Sequence, residues 1–468
     1  MAKEKKSEAK ELQKKLLIDN QNAGLRLSDD EIRKASAFCE GYKDFLDRSK
    51  TEREAVVFIL EAAKKHGFEE FELGRKYAPG DKVYLCNRGK SVILATIGEE
   101  PVKNGVRINA AHIDSPRLDM KPRPLYEEAQ LALFKTHYYG GIKKYQWTAI
   151  PLSLHGVIVR ADGEKISVCI GEEEGDPVFC VTDLLPHLAT EQMKRTLSEA
   201  IKGEELNILI GSLPFRDDEI SEKVKLNIMN ILHEKYGIVE QDLLSAELEA
   251  VPAFKASDVG FDRSMIGSYG HDDRVCAYTA LMAALNAPTP PVTAVTILTD
   301  KEETGSDGNT GLKSAYLRYF VADLAAPYGM EGRTVLSRSE CLSADVSAAF
   351  DPTFPEPTEK RNTSYLNYGV AMMKYSGARG KAGTSDASAE FVGRVRRIFD
   401  DHDILWQMCE LGKVDAGGGG TVAAYIANLN VDVIDVGVPV LSMHSPFEVV
   451  SKLDTYMAFK AFLAFIGA

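Results

Sequence analysis

The sequence predicts an α/β protein: a sheet with helices on both faces, interrupted by an inserted, β-rich second domain. Three observations lead there. After Phe261, strand-like and helix-like runs alternate: DDRVCAYTALMAALNA as helix, VTAVTILTD as strand, GLKSAYLRYFVADLAA as helix, CLSADVS as strand. Such a rhythm builds a sheet covered by helices on both sides. Between Lys121 and Pro252 the rhythm stops, and a chain of 468 residues is too long for one ordinary core. Residues 1–120 and 253–468 are therefore predicted to form one discontinuous domain, and residues 121–252 an insertion.

The first seventy residues read as helices. KTEREAVVFILEAAKKHGF opens with a capping box from Thr51 to Glu54, carries an apolar stripe and stops at Gly67. KVYLCNRGKSVILATIG reads as two strands around an Asn-Arg-Gly turn, and GVRINAAHIDSP as a strand ending at Ser115-Pro116. Inside the insertion, IPLSLHGVIVRADGEKISVCIG has the pattern of a hairpin turning at Asp162-Gly163, followed by a polar, helix-prone stretch. Toward the end, GGTVAAYIANLN reads as a helix start, VDVIDVGVPV as one strand and DTYMAFKAFLAFIG as a closing helix.

A net charge of −13 argues against nucleic-acid or anionic-membrane partners. The basic start lacks an apolar core of signal-peptide length, and no apolar run reaches the roughly eighteen residues of a membrane span. The seven cysteines are scattered and form no CxxC pair, which fits reduced thiols in the cytoplasm and argues against a thiolate zinc site.

Glu302 and Glu303 stand side by side after VTAVTILTD. Neighbours on a regular strand point to opposite faces, so both serve one site only if the strand has ended there. Sites in α/β sheets gather at such carboxyl ends. His112 ends VRINAAH, and Asp114, two residues on, shares its face and can fix the imidazole tautomer. Asp272 begins a helix, Asp345 follows a short apolar run, and His444 ends the last strand. Two imidazoles with several carboxylates and no thiolate are the ligand chemistry of an open zinc or related divalent site. Each also has an ordinary explanation: an N-cap for Asp272, a turn for Asp345, hydrogen-bonded structural histidines, a solvated turn for the glutamates. Spacing alone leaves both readings open.

The words AAHIDSPRL, YGHDDRVCAYTAL, TDKEETGS, SADVSAAFDP, GGGTVAAYIA and MHSPFEVVSKLD, in that order, resemble the aspartyl aminopeptidase / aminopeptidase I family of dinuclear zinc exopeptidases. YYGGIKKYQWTAIPLSLHGVIV and LLPHLA look like that family's dimerisation domain, and the resemblance runs from about Lys50 onward. It implies a zinc-exopeptidase-like α/β/α sandwich, with residues 121–252 as the dimerisation domain and the rest as the catalytic metallopeptidase domain. It implies two divalent ions per chain, zinc with cobalt or manganese as alternatives. His112 and Asp345 would hold one, Glu303 and His444 the other, with Asp272 bridging; Glu302 falls at the general base and Asp114 orients His112. Glu303 then neutralises an ion while Glu302 stays free to move a proton, which explains the adjacent pair. Implied too are peptide substrates, acidic or neutral in their first residue, and a homo-oligomer of dimers, possibly a tetrahedral dodecamer.

The chain departs from the family's usual words at Asp273, where Asn is commoner, and at Thr148-Ala149-Ile150 after the insertion's Trp. DPTFPEPTEKRNTSYLNYG lacks the histidine that lines the substrate pocket in relatives, which bears on preference for acidic residues. Lys374 resembles a family lysine near that pocket, and Gly420, within VDAGGGGTVAAY, offers either close approach of a substrate backbone or a simple turn. GTSDASAEF and HSPFEVV are also similar to the glutamyl/deblocking aminopeptidases. An N-acyl amidohydrolase on the same dinuclear core and a non-catalytic assembly protein complete the alternatives.

Overall fold

Four parallel strands form the centre of the molecule: Ala294–Thr299, Arg107–His112, Glu340–Ser343 and Asp432–Gly437, side by side in that order. The computed structural model describes residues 2–217, 219–377 and 379–468, with side chains from residue 9 onward. On one side the sheet continues through Ser91–Thr96, Lys82–Asn87 and Glu69–Glu70, and on the other through Val370–Met373 and Trp406–Met408, nine strands in all. The central strands are buried at nearly every position because both faces are covered, the usual condition of parallel sheets.

Side-chain alternation divides the core in two. Ala111, Leu298, Leu342 and Ile434 face a layer that includes the helices Asp29–Arg48, Glu52–Lys65, His271–Asn286, Ala389–Asp401 and Lys452–Gly467. Ile108, Ala110, Ile297, Cys341 and Val433 face Tyr316–Ala325, Gly332–Leu336 and Ala423–Ala427. This is the predicted α/β/α arrangement. The predicted capping box is formed: the Glu54 amide donates to Thr51 Oγ1 at 3.3 Å and the Thr51 amide to Glu54 Oε2 at 3.1 Å.

A second sheet of seven strands is antiparallel throughout, ordered Lys165–Ile170, Leu152–Val159, Ala246–Pro252, Arg117–Glu128, Leu131–Tyr139, Ile208–Gly211 and Cys180–Val181. It has a separate core around Trp147, Phe134, Leu152 and Val251. The hairpin at Asp162-Gly163 joins two of its strands, with Gly163 at φ +86°. The polar stretch after it is mostly irregular, with short 3₁₀ turns and one helix, Lys223–Tyr236.

VDVIDVGVPV departs from the expectation of a single strand. It splits into Asp432–Gly437 in the nine-stranded sheet and Pro439–Leu441 in a third sheet, with Ser257–Val259, Met265–Ser268, Glu448–Ser451 and Ser347–Ala348. Gly437 stands at the switch. A Cβ there would overlap the Asp345 carbonyl, so only glycine lets the two segments pass.

Candidate active site

The central strands end at one edge, and the sequence-predicted acids and imidazoles collect there. His112 is the last residue of its strand; Glu302 and Glu303 form a 3₁₀ turn after Ala294–Thr299; Asp345 lies two residues past Glu340–Ser343. Asp272 sits at the start of His271–Asn286, where it and Asp273 leave helical geometry and share a cis peptide. His444 does not end a strand: it occupies the turn between Pro439–Leu441 and Glu448–Ser451, at φ +63°.

Asp272 spans the cluster. Its Oδ1 lies 3.2 Å from His112 Nε2 and its Oδ2 lies 3.1 Å from His444 Nε2. Asp345 Oδ1 and Glu302 Oε2 each lie 3.9 Å from His112 Nε2, and Glu303 Oε2 lies 3.6 Å from His444 Nε2. Both rings are oriented from behind. His112 Nδ1 donates to the Asp114 carbonyl at 3.0 Å, and His444 Nδ1 donates to the Gly141 carbonyl at 2.7 Å. A carbonyl only accepts, so the proton is on Nδ1 in each neutral ring and Nε2 turns its lone pair to the centre.

Asp114 anchors the whole turn. Its Oδ1 accepts the Glu302 amide at 3.1 Å, and its Oδ2 accepts the Glu303 amide at 3.2 Å and the Tyr139 hydroxyl at 2.7 Å. Sequence reasoning missed two groups. Glu448, fully buried, accepts the Asp272 amide at 3.0 Å and the His444 amide at 2.6 Å, tying two elements together beneath the cluster. Its only signal is a charged residue opening an apolar strand four positions after His444. The other is Tyr139, within YYGG, whose hydroxyl reaches Asp114 from the second sheet.

The electrostatics describe carboxylates crowded without enough positive charge. Burial raises Glu302 to about 7, with Asp272 and Asp114 adding to the rise. Burial and the charge of Asp272 push Glu303 well above the carboxylate range, and burial with Glu302 and Asp273 does the same to Asp345. Asp272 goes the other way: burial opposes its charge, but the two imidazoles hold it below the usual range. His444 is raised to about 10 against burial by Asp272 and Glu303. Meanwhile His112 Nε2, Asp272 Oδ1, Asp273 Oδ1 and Glu303 Oε1 are buried with no hydrogen-bond partner. Ligand atoms of His112, Asp272 and Glu303 lie within 4.8 Å of one another, as do those of His112, Asp273 and Asp345. Orphaned donors of this type, clustered and over-rich in negative charge, fit divalent cations. Asp273 competes with Asp272 for a ligand role, but only Asp272 reaches both imidazoles.

Lys374 and Gly420 stand apart. The strand Val370–Met373 runs antiparallel to Asp432–Gly437, so its carboxyl end points back from the edge where the ligands gather. Gly420 lies in an exposed loop where an added Cβ would touch nothing within 4 Å. Neither hydrogen-bonds or ion-pairs with the cluster among the described residues. A second group, Glu54, His155 and Cys169, also has ligand atoms within 4.8 Å. There His155 is already held by Glu54 at 2.7 Å and by Ser153 and Glu172 at 2.9 and 3.2 Å, an ion-paired imidazole at the seam with the second sheet.

Imidazoles and carboxylates converging on the carboxyl edge of a parallel sheet, with a free carboxylate beside them, define a metal-dependent hydrolase of the α/β class. The model of the aminopeptidase I zinc metalloprotease family, M18, matches residues 45–466, and the chain belongs to that family. It is a zinc-dependent aminopeptidase. A probable M18 family aminopeptidase 1 of Clostridium acetobutylicum is 50% identical over 460 residues, covering 97% of this chain and 99% of that one. The crystal structure of an M18 aminopeptidase from Thermotoga maritima superposes with a TM-score of 0.92 at 44% identity, over 96% of this chain and 99% of that one. That of aminopeptidase I from Clostridium acetobutylicum gives 0.91 at 47%, over 97% and 100%. An S. cerevisiae mApe1 dodecamer, 20% identical, shares the fold with a TM-score of 0.73 over 93% and 97%.

Proposed function

We propose that this aminopeptidase works with two divalent ions, zinc first among them, and that Asp272 bridges the two. His112 and Asp345 complete one ligand set, Glu303 and His444 the other. The observation that carries this reading is the division of the Asp272 carboxylate, one oxygen to each imidazole, at 3.2 and 3.1 Å. When bound, the zinc supplies Lewis-acid polarisation of the scissile carbonyl and acidifies the attacking water. Glu302 accepts the proton of that water and delivers it to the leaving amine, a task open to a carboxylate that stands beside the ligands without being one of them. Asp114 holds His112 from behind and fixes the Glu302–Glu303 turn through both amides. Glu448 keeps Asp272 and His444 in register. Lys374 and Gly420 are read as substrate contacts outside the metal-ligand sets.

The substrates in this reading are peptides with a free α-amine and an acidic or neutral first residue. The insertion, residues 121–252, is read as the dimerisation domain of a homo-oligomer, in the extreme a tetrahedral dodecamer. Exposed Leu184, Leu185, Leu188, Met193, Leu197 and Leu213 support it, since solvent-facing apolar side chains in such number mark an interaction surface. A cytoplasmic location is supported by seven unpaired cysteines, and no helix is long and apolar enough to cross a membrane among the described residues.

The test is release from unblocked Asp, Glu, Leu, Met and Lys anilides by enzyme loaded with zinc, cobalt or manganese, with bound metal measured in parallel. Two ions per chain and turnover only with a free α-amine are expected. Fastest release of Asp or Glu assigns the aspartyl type; fastest release of Leu or Met assigns the neutral type. One ion per chain at full activity, or equal turnover of N-acylated substrates, overturns the reading.

A further inference from the structure

The strand Leu131–Tyr139 belongs to the second sheet, yet its end touches both halves of the catalytic cluster. Register brings this about. Tyr139 pairs with Arg117 across the strands, and Arg117 follows Asp114 by three residues. Arg117 is buried among Glu52, Glu249 and Asp119, with nearest oxygens at 3.4, 3.3 and 2.8 Å, and its guanidinium lies 3.9 Å from the centre of the Tyr139 ring. The ring is thereby clamped with its hydroxyl on Asp114 Oδ2 at 2.7 Å. Two residues on, the Gly141 carbonyl accepts His444 Nδ1 at 2.7 Å. Between them Gly140, at φ +76°, passes so close that a Cβ would stand 3.1 Å from Glu303 Oε2 and 3.3 Å from Pro116 Cβ.

We infer that Tyr139–Gly140–Gly141 is a strap by which the inserted domain holds both metal-ligand sets, with Tyr139 as a positioning residue for Asp114, His112 and the Glu302 turn. The inference rests on the ligand assignment proposed above. Without the hydroxyl, Asp114 keeps one amide on each oxygen, Glu302 on Oδ1 and Glu303 on Oδ2, and loses the one side-chain donor that steadies it against His112 Nδ1, now 3.3 Å from Oδ1. A carboxylate held less firmly loosens the ring that His112 offers to a metal and the turn that aims Glu302. The hydroxyl holds Asp114 and not the peptide, so the loss is expected in turnover more than in substrate binding. Outer partners of ligating groups typically contribute at this scale. The insertion therefore completes the catalytic centre of its own chain, beyond any part it has in assembly.

Tyr139→Phe isolates the hydroxyl, because the ring stays over Arg117. In the cobalt-loaded full-length enzyme it is expected to lower kcat roughly 10- to 100-fold with KM within about twofold, and to release cobalt to a chelator roughly tenfold faster. The melting temperature should hold. Gly140→Ala, with its Cβ against Glu303, is expected to weaken metal retention as well. Tyr138→Phe, whose exposed ring faces the other side of the strand, serves as the control and should match the parent. Parental kcat and parental cobalt release in Tyr139→Phe overturn the strap. So does a fall in melting temperature that accounts for all lost activity, with KM and kcat changing together. Glu302→Gln, assayed alongside, separates the failures: an active Glu302→Gln removes the underlying assignment, whereas an inactive one beside a normal Tyr139→Phe removes only the strap.

Discussion

Asp272 gives one carboxylate oxygen to each imidazole, while Asp273, next to it, spends Oδ2 on the His112 amide at 3.4 Å. The two aspartates should therefore respond oppositely to substitution. Asp272→Ala removes the group that reaches both rings and is expected to empty the site of metal, read as ions per chain after dialysis. Asp273→Asn still accepts the His112 amide through its side-chain oxygen and is expected to keep its metals and most of its activity. Glu302→Gln is expected to retain metal and fold but lose roughly 10²–10⁴-fold in turnover, since it deletes a proton carrier and nothing else. At this scale the sequence was legible where chemistry needs a particular residue type at a strand end: His112, Glu302, Glu303, Asp345. Glu448 was not legible. A glutamate that binds two backbone amides has the same composition signal as any glutamate, and only the fold shows what lies above it.

Elements were legible wherever periodicity and caps agreed, as in Glu52–Lys65 and the hairpin around Gly163. The switch of VDVIDVGVPV between two sheets was not, because alternation of side chains says nothing about which partner strand is present. The contact between the two main sheets was equally hidden, being built from long-range ion pairs. There Lys50 Nζ donates to Glu172 Oε1 at 2.7 Å and to the carbonyls of Pro252 and Phe254 at 2.7 and 3.1 Å, and His155 pairs with Glu54 and Glu172. Burial opposes the Glu172 charge, but His155 and Lys50 lower it from 4.5 to about 2. Stability from Glu172 is thus present above pH 4.5 and is lost as pH falls toward 2. His155 is raised well above 6.5 against burial by its hydrogen-bonding and charged partners, so its share is full below 6.5 and declines as pH rises toward its folded value. The seam is expected to be strongest between pH 4.5 and 6.5. Urea titrations of Glu172→Gln should show the acid limb flattened by up to about 1.4 kcal/mol per pH unit relative to the parent. An unchanged acid limb removes Glu172 from the account of acid lability.

Across the whole molecule the apolar surface is unevenly placed. Leu188, Met193 and Leu213 are 70%, 74% and 74% exposed, all within the second sheet's irregular connections, and a cavity of about 790 Å³ lined by Ile220, Leu226, Met229 and Val239 lies on the same domain. The catalytic edge is the opposite case, a buried polar cluster. Leu188→Glu with Met193→Glu places charge in any contact these residues make, and desolvating an unpaired carboxylate there is costly. Light scattering of the parent is expected to give a multiple of the 51.4 kDa chain, up to twelve copies, and the double variant a smaller species. Because the strap belongs to the same chain as the metals it holds, the smaller species should keep its bound ions and its kcat on an aminoacyl anilide. A double variant that stays at the parent's mass places the interface elsewhere on the insertion. One that dissociates and drops its metals shows that neighbouring copies, and not only the chain's own Tyr139–Gly141 segment, hold the centre in place.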